Sequence, residues 1–305
     1  MRNPLPSGLW ILLAMGLIAM EPSAVSPVRA QANPELNALL TQGVAFPGGQ
    51  TRKIRPPSMV DGLDAAGQRK VIDAIMAMKI GRPINFGDFT KNNLNAPFVL
   101  LIDEDPTYDG NLPGHSVNLW FVVHGELKTV ADPTFLKNQF KPDESGRTDT
   151  LSAADLQQRQ IVPRIIPEGS EGFVHGKFRM LDKDVRVEIQ ATERIVRTTT
   201  KESATVAGQI DRRFDSDAKF PNEWRSVTQG VVSGTPILYF SHGSYAKVTK
   251  LIAPAGALLV DYHFVYDEPE GWFNGANLLR SKLRAKTEGD VRTFRRQVKV
   301  AESGG

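Results

Sequence analysis

Hydrophobic and polar positions along this chain fall into two textures. Between residues 64 and 80, Val71, Ile72, Ile75, Met76 and Met78 recur at helical spacing. Asp64 stands where an N-cap belongs and Gly81-Arg82-Pro83 ends the pattern, so an amphipathic helix is predicted. A shorter helix is expected over 33–40, entered through Pro34. Residues 43–60, rich in proline and glycine, read as an extended arm. Two short apolar runs, 98–102 and 117–123, are rich in Val, Leu and aromatics and bounded by Gly, Pro and Asn, which predicts strands. A further helix is expected at 134–140.

After Pro167 the period changes from helical to alternating. Val185, Val187 and Ile189 interleave with Arg186, Glu188 and Gln190, as on a strand with one wet face. Strands are predicted at 173–180, 185–196, 203–210, 246–252 and 257–266, with loops at 182–184 and 253–256. Ser152 is placed to cap a helix over 153–160. The expected fold class is α+β, mostly β. A small α+β N-terminal region (61–140) precedes a polar linker (141–150) and a β-rich domain (151–305). That domain is expected to be an antiparallel sandwich or barrel-like sheet with a C-terminal helical element.

Residues 1–30 carry an address. Met1 and Arg2 give a positive start, 9–20 is an unbroken apolar run, and Val28-Arg29-Ala30 suits signal peptidase, so a cut after Ala30 is expected. The alternative is a retained anchor, but the run is about half the roughly 20 residues that span a bilayer. Residues 31–60 then form the arm of an exported protein, periplasmic or extracellular. The chain has no cysteine, which excludes disulfides, thiolate metal sites, a thiol nucleophile and a lipobox anchor. Lys and Arg number 37 against 34 Asp and Glu, too even a balance to predict a nucleic-acid partner.

Three of the five histidines precede glycine, at His124, His175 and His242. A glycine there either exposes the ring at a strand end or merely ends the strand. No HExxH pair occurs, and His124-Gly125-Glu126 lacks the cysteines of a zinc deaminase. Asp261 and His263 share one face of a strand, with Asp267 on the same register. With His124 or His242 they form a candidate zinc site for a metal-assisted hydrolase acting on an envelope polymer. Solvated polar residues on a sheet face are the plain alternative. Asp103, Glu104, Asp105 and Asp109, and separately Asp211, Asp215 and Asp217, offer hard oxygens for a structural calcium, although neither set fits an EF-hand loop. Serine-nucleophile motifs fail: 230–234 misses GxSxG by one residue, and Ser244-Tyr245-Ala246-Lys247 has no companion motifs.

Residues 280–299 hold eight cations, among them Arg292, Arg295 and Arg296, against Glu288 and Asp290. Exposed together they would grip an anionic envelope polymer or lipid headgroups; as a solvated helix face they would do nothing. Trp272 and Phe273 stand between glycines just before, placed to pack a loop or to form a sugar-stacking platform, and Phe220 to Trp224 is similar.

The segments DRRFDSD, FPNEWRS, GSYAKVT, ALLVDYHFVYDEPEGWFNGANLLRSKL and VRTFRR, all between residues 211 and 296, resemble a family of uncharacterised exported bacterial proteins. The resemblance implies an envelope location and brings no catalytic residues. The expected function is a non-enzymatic binding or scaffolding protein of the bacterial envelope. Its contact surface would comprise Trp272, Phe273, Arg292, Arg295 and Arg296.

Overall fold

The computed structural model describes residues 33–104, 114–132, 135, 146–181, 186–267 and 276–303. The expected leader, the acidic stretch beyond Glu104, the helix at 134–140 apart from Phe135, and Trp272 and Phe273 lie outside these residues.

Helix α1 (Pro34–Thr41) begins at Asn33, whose side chain accepts from the Glu35 and Leu36 amides. A small hairpin, β1 (Val44–Ala45) with β2 (Thr51–Arg52), follows within the arm. Helix α2 (Ala65–Ala77) is capped by Asp64, as the spacing predicts, and the short α3 (Phe86–Thr90) by Asn85. Strands β3 (Val99–Glu104) and β4 (Gly114–His124) come next, then α4 (Leu127–Val130), β5 (Gly146–Thr150) and α5 (Ala153–Gln158). The rest is β6 (Gly169–Leu181), β7 (Arg186–Thr199), β8 (Ser203–Ile210), β9 (Glu223–Thr228), β10 (Val231–Leu238), β11 (His242–Lys250), β12 (Ala257–Asp267) and the long α6 (Ala276–Ser303).

Ten strands join in one antiparallel sheet. Its main run is β5-β6-β7-β8-β11-β12-β4-β3, and the β9–β10 hairpin pairs with the start of β7. This corrects the expected division of the chain. Residues 146–150 of the presumed linker are strand β5, and β4 from the N-terminal region pairs along its whole length with β12. The two halves therefore share one sheet, not a boundary.

Alternation along β12 explains why every one of its residues is buried. Leu258, Val260, Tyr262, Phe264 and Tyr266 face α6, packing with Val117, Leu119 and Phe121 of β4 and with Leu283, Val291, Phe294 and Val298 of the helix. The helix keeps these residues on one stripe because they recur every three or four positions. Ala257, Leu259 and Val265 face the other way. There Ile72 and Ile75 of α2, Met59 of the arm, and Leu36 and Leu39 of α1 cover them. The sheet is thus sandwiched between the C-terminal helix and the N-terminal segments. A smaller cluster under α5 joins Leu156 to Phe173, Phe214 and Phe220.

Candidate functional site

Two cavities run along α6. The first, about 470 Å³, lies between the helix and edge strand β3. Its walls are apolar, with Pro97, Phe98, Leu100 and Ile102 from the strand side and Val291 from the helix. Its charged lining carries Lys79, Arg284, Arg292 and Arg295 against the carboxylates of Asp103 and Glu288, so cations are in excess. Lys79 stands just beyond α2, and Arg284 and Arg292 lie on the stripe 284, 288, 291, 292, 295 that α6 turns toward the cavity. Among the described residues, neither Lys79 nor Arg284 is in a salt bridge, whereas Arg292 is held by Glu288 at 2.6 Å. Burial first, then the nearby Arg284 and Arg82, pull the Lys79 ammonium below its ordinary value. A lysine whose charge is opposed by two neighbouring arginines is in a place where an anion would relieve the repulsion.

The second cavity, about 680 Å³, is lined by residues 91–95, His124, Lys299 and Glu302 among others. Leu94, Asn95 and Arg295 belong to both cavities. Arg295 is the partition. It is buried, and its guanidinium donates to the carbonyls of Val122 (2.9 Å), Ala96 (2.6 Å), Leu94 (3.2 Å) and Pro97 (3.3 Å). Burial holds its pKa down at about 10. The expectation that Arg292, Arg295 and Arg296 form one exposed patch is corrected accordingly. Arg292 is exposed and lines the first cavity, Arg296 is exposed but lines neither, and Arg295 is an internal anchor.

The four candidate metal ligands do not assemble. Asp261 and His263 meet on the face covered by the arm, as the strand alternation predicts, but both are committed. His263 Nε2 contacts Asp261 Oδ1 and its Nδ1 lies 2.7 Å from Asn118 Oδ1, so no ring nitrogen is open to a metal. The Ser58 amide donates to Asp261 Oδ2 at 2.6 Å, and the Trp120 indole donates to Ser58 Oγ at 2.8 Å. His124 sits at the end of β4, its Nε2 donating to the Thr90 carbonyl at 2.7 Å. His242 lies on the opposite sheet face, its Nδ1 2.5 Å from Glu193 Oε1. Among the described residues no three of His, Cys, Asp and Glu converge as a metal site. The second calcium set is likewise taken up by arginines: Asp211 by Arg213, Asp215 by Arg212 and Asp217 by Arg159.

Glycine after histidine has a packing reason in two of the three cases. A Cβ on Gly243 would meet Val44 at 2.4 Å and Leu39 at 2.8 Å, and one on Gly125 would meet Val298 at 2.6 Å. These glycines let α1 and α6 lie close to the sheet; they do not serve to expose the imidazoles.

One group went unpredicted. Glu193 and His242, both fully buried on the α6 face, form a pair that leaves Glu193 Oε2 and His242 Nε2 without hydrogen-bond partners. Tyr262 OH and Ser241 Oγ are also buried and unpartnered. The sequence signal is a carboxylate interrupting the inward series Val187, Ile189, Ala191, Glu193, Ile195 on β7.

No family model and no curated protein matches this chain. Among solved structures it is similar to the human StarD13 (DLC2) lipid transfer and protein localization domain. That match has TM-score 0.38 and 11% identity and covers 77% of this chain and 98% of that one. It is also similar to human STARD10 (TM-score 0.36, 11% identity, 78% and 82% covered). A third match is the di-domain ARO/CYC StfQ from the steffimycin biosynthetic pathway (TM-score 0.23, 12% identity, 68% and 81% covered).

Proposed function

We propose that this is a non-enzymatic binding protein that takes an anionic amphiphile into the cavity between β3 and α6. The apolar tail would lie on Phe98, Leu100 and Ile102, and the phosphate or carboxylate head would sit between Lys79 and Arg284. The observation that carries this reading is the pair of cations without acidic partners at the lip of an apolar groove. The volume falls within the roughly 300–1,000 Å³ of small-ligand pockets, and removing tail carbons from water supplies about 0.8 kcal/mol per CH₂. The leader expected at 1–30 would deliver such a protein to the envelope, where anionic lipids are at hand.

The test is flotation of the full chain with phosphatidylcholine vesicles, with and without phosphatidylglycerol, at low and high salt. Binding should require phosphatidylglycerol and weaken with salt. The double variant Lys79→Glu, Arg284→Glu should bind at least tenfold more weakly. Equal binding to both vesicle types, or an unaffected double variant, would remove the reading.

A further inference from the structure

The α6 face of the sheet also buries a group of polar side chains, chemically unlike the groove beside β3. Cross-strand register sets side chains of the same face in rows. His242 pairs with Tyr266, and Tyr266 with His115, whose ring stacks on it at 5.2 Å. The next row inward runs Gly172, Ile195, Gly208, Ser244, Phe264, so small residues lie beside the polar one. A Cβ on Gly208 would come within 3.7 Å of Glu193 Oε2, which places that oxygen over the glycine. Farther in on this face, Val206, Ala246 and Val248 pack against the core but are only partly covered. A shallow apolar strip therefore ends at a cluster of buried polar atoms.

Three of those atoms have no partner: Glu193 Oε2, His242 Nε2 and Tyr262 OH. Each residue is at least nine-tenths buried. Buried polar groups are normally satisfied, and leaving one unpaired is costly. Three on one sheet face, with Glu193 bonded to His242 and close enough to act on Tyr262, point to a missing group that both donates and accepts. The field there is set by carboxylates. Burial is the main influence raising the Tyr262 phenol, with Glu193 adding to it, and the Tyr239 phenol is raised by burial and then by Asp267 and Glu193. Asp267 itself is pushed up to about 7 by burial, with His242 nearby. An anion would be repelled here, in contrast to the groove beside β3.

We propose that Glu193, His242 and Tyr262 form a binding site for a neutral hydroxyl group carried on an apolar body, the body lying on the strip beside Gly208. Glu193 receives the hydroxyl hydrogen, and Tyr262 donates to its oxygen. His242, fixed by its bond to Glu193, sets the orientation. This site stands whether or not the groove binds lipid.

The experiment is calorimetric titration of the full chain with 1-octanol, 1-fluorooctane, octanoate and octylamine, with ¹⁵N spectra of the histidine rings alongside. Octanol should bind best, at least tenfold better than 1-fluorooctane, and shift the His242 Nε2 resonance. Tyr262→Phe removes only an oxygen that has no partner, so it should keep the fold while weakening octanol binding at least fivefold. The proposal is overturned by equal binding of octanol and 1-fluorooctane, by a preference for octanoate or octylamine, or by a folded Tyr262→Phe protein that binds octanol normally. An unmoved His242 resonance would also overturn it.

Discussion

Arg194 on β7 holds the carboxylate of Glu35 on α1 at 3.0 Å, although 159 positions separate them in the chain. Arg164 (2.9 Å) and the Gln209 amide (2.6 Å) reach the same fully buried carboxylate, so Glu35 ties the first helix to the sheet. Glu35→Ala should cost about 3 kcal/mol, the low end for breaking a buried ion pair, because both arginines keep some contact with water. Urea denaturation measures it, and a loss below about 1 kcal/mol would show that the clamp contributes little.

Arg295 should be about as hard to replace. Arg295→Met leaves four carbonyl oxygens without their donor, and a destabilisation of about 3 kcal/mol is expected. Arg295→Lys keeps the charge but not the planar fork, so it should fall between the two. If thermal melts rank Lys no better than Met, the directed hydrogen bonds are not what matters.

Two buried groups oppose one another in pH. Burial pushes Asp267 up to about 7, so its contribution is present below about pH 4 and is lost as pH rises through 7. His175, pushed down to about 4 mainly by burial, contributes above about pH 6.5 and loses its contribution as pH falls toward 4. Asp290, raised to about 6 by burial, adds to the Asp267 direction. Between pH 4.5 and 7, Asp267→Asn should therefore gain stability with rising pH relative to wild type, and His175→Asn should lose it. Urea midpoints across this window decide, and parallel profiles for all three proteins would refute the assignment.

Glu288 restrains Arg292 at the lip of the first cavity. Glu288→Gln should free that cation and tighten binding of phosphatidylglycerol vesicles two- to fivefold at low salt, with the gain vanishing at high salt. An unchanged affinity would place the headgroup away from Arg292.

Local periodicity made most elements legible, because a strand's alternation and a helix's stripe are written in consecutive residues. The strand at 203–210 lies where the alternation puts it, and Asp261 and His263 do share a face. Pairing between distant strands leaves no such mark, so the β4–β12 register, and with it the single sheet, had no local signal. The β9–β10 hairpin was missed because Gln229 occupies a positive φ of 50° next to Gly230 at 79°, a place usually signalled by Asn or Asp. In the site, residues 280–299 were visible as cations, but a charge count does not separate Arg295 from Arg292. The spacing does: 295 follows Val291 by four and precedes Val298 by three, on the inward stripe.

The seam that pairs Gly114 with Asp267 and His124 with Ala257 has a consequence for biogenesis. Strand β12 is made well over a hundred residues after its partner β4. Until β12 leaves the ribosome, or any channel that threads the chain, β4 is paired with β3 on one side and carries an open hydrogen-bonding edge on the other. The sheet can close only after residue 267 has been made. A chain truncated before residue 257 would be left with sticky half-sheets prone to aggregate, not with a smaller working protein.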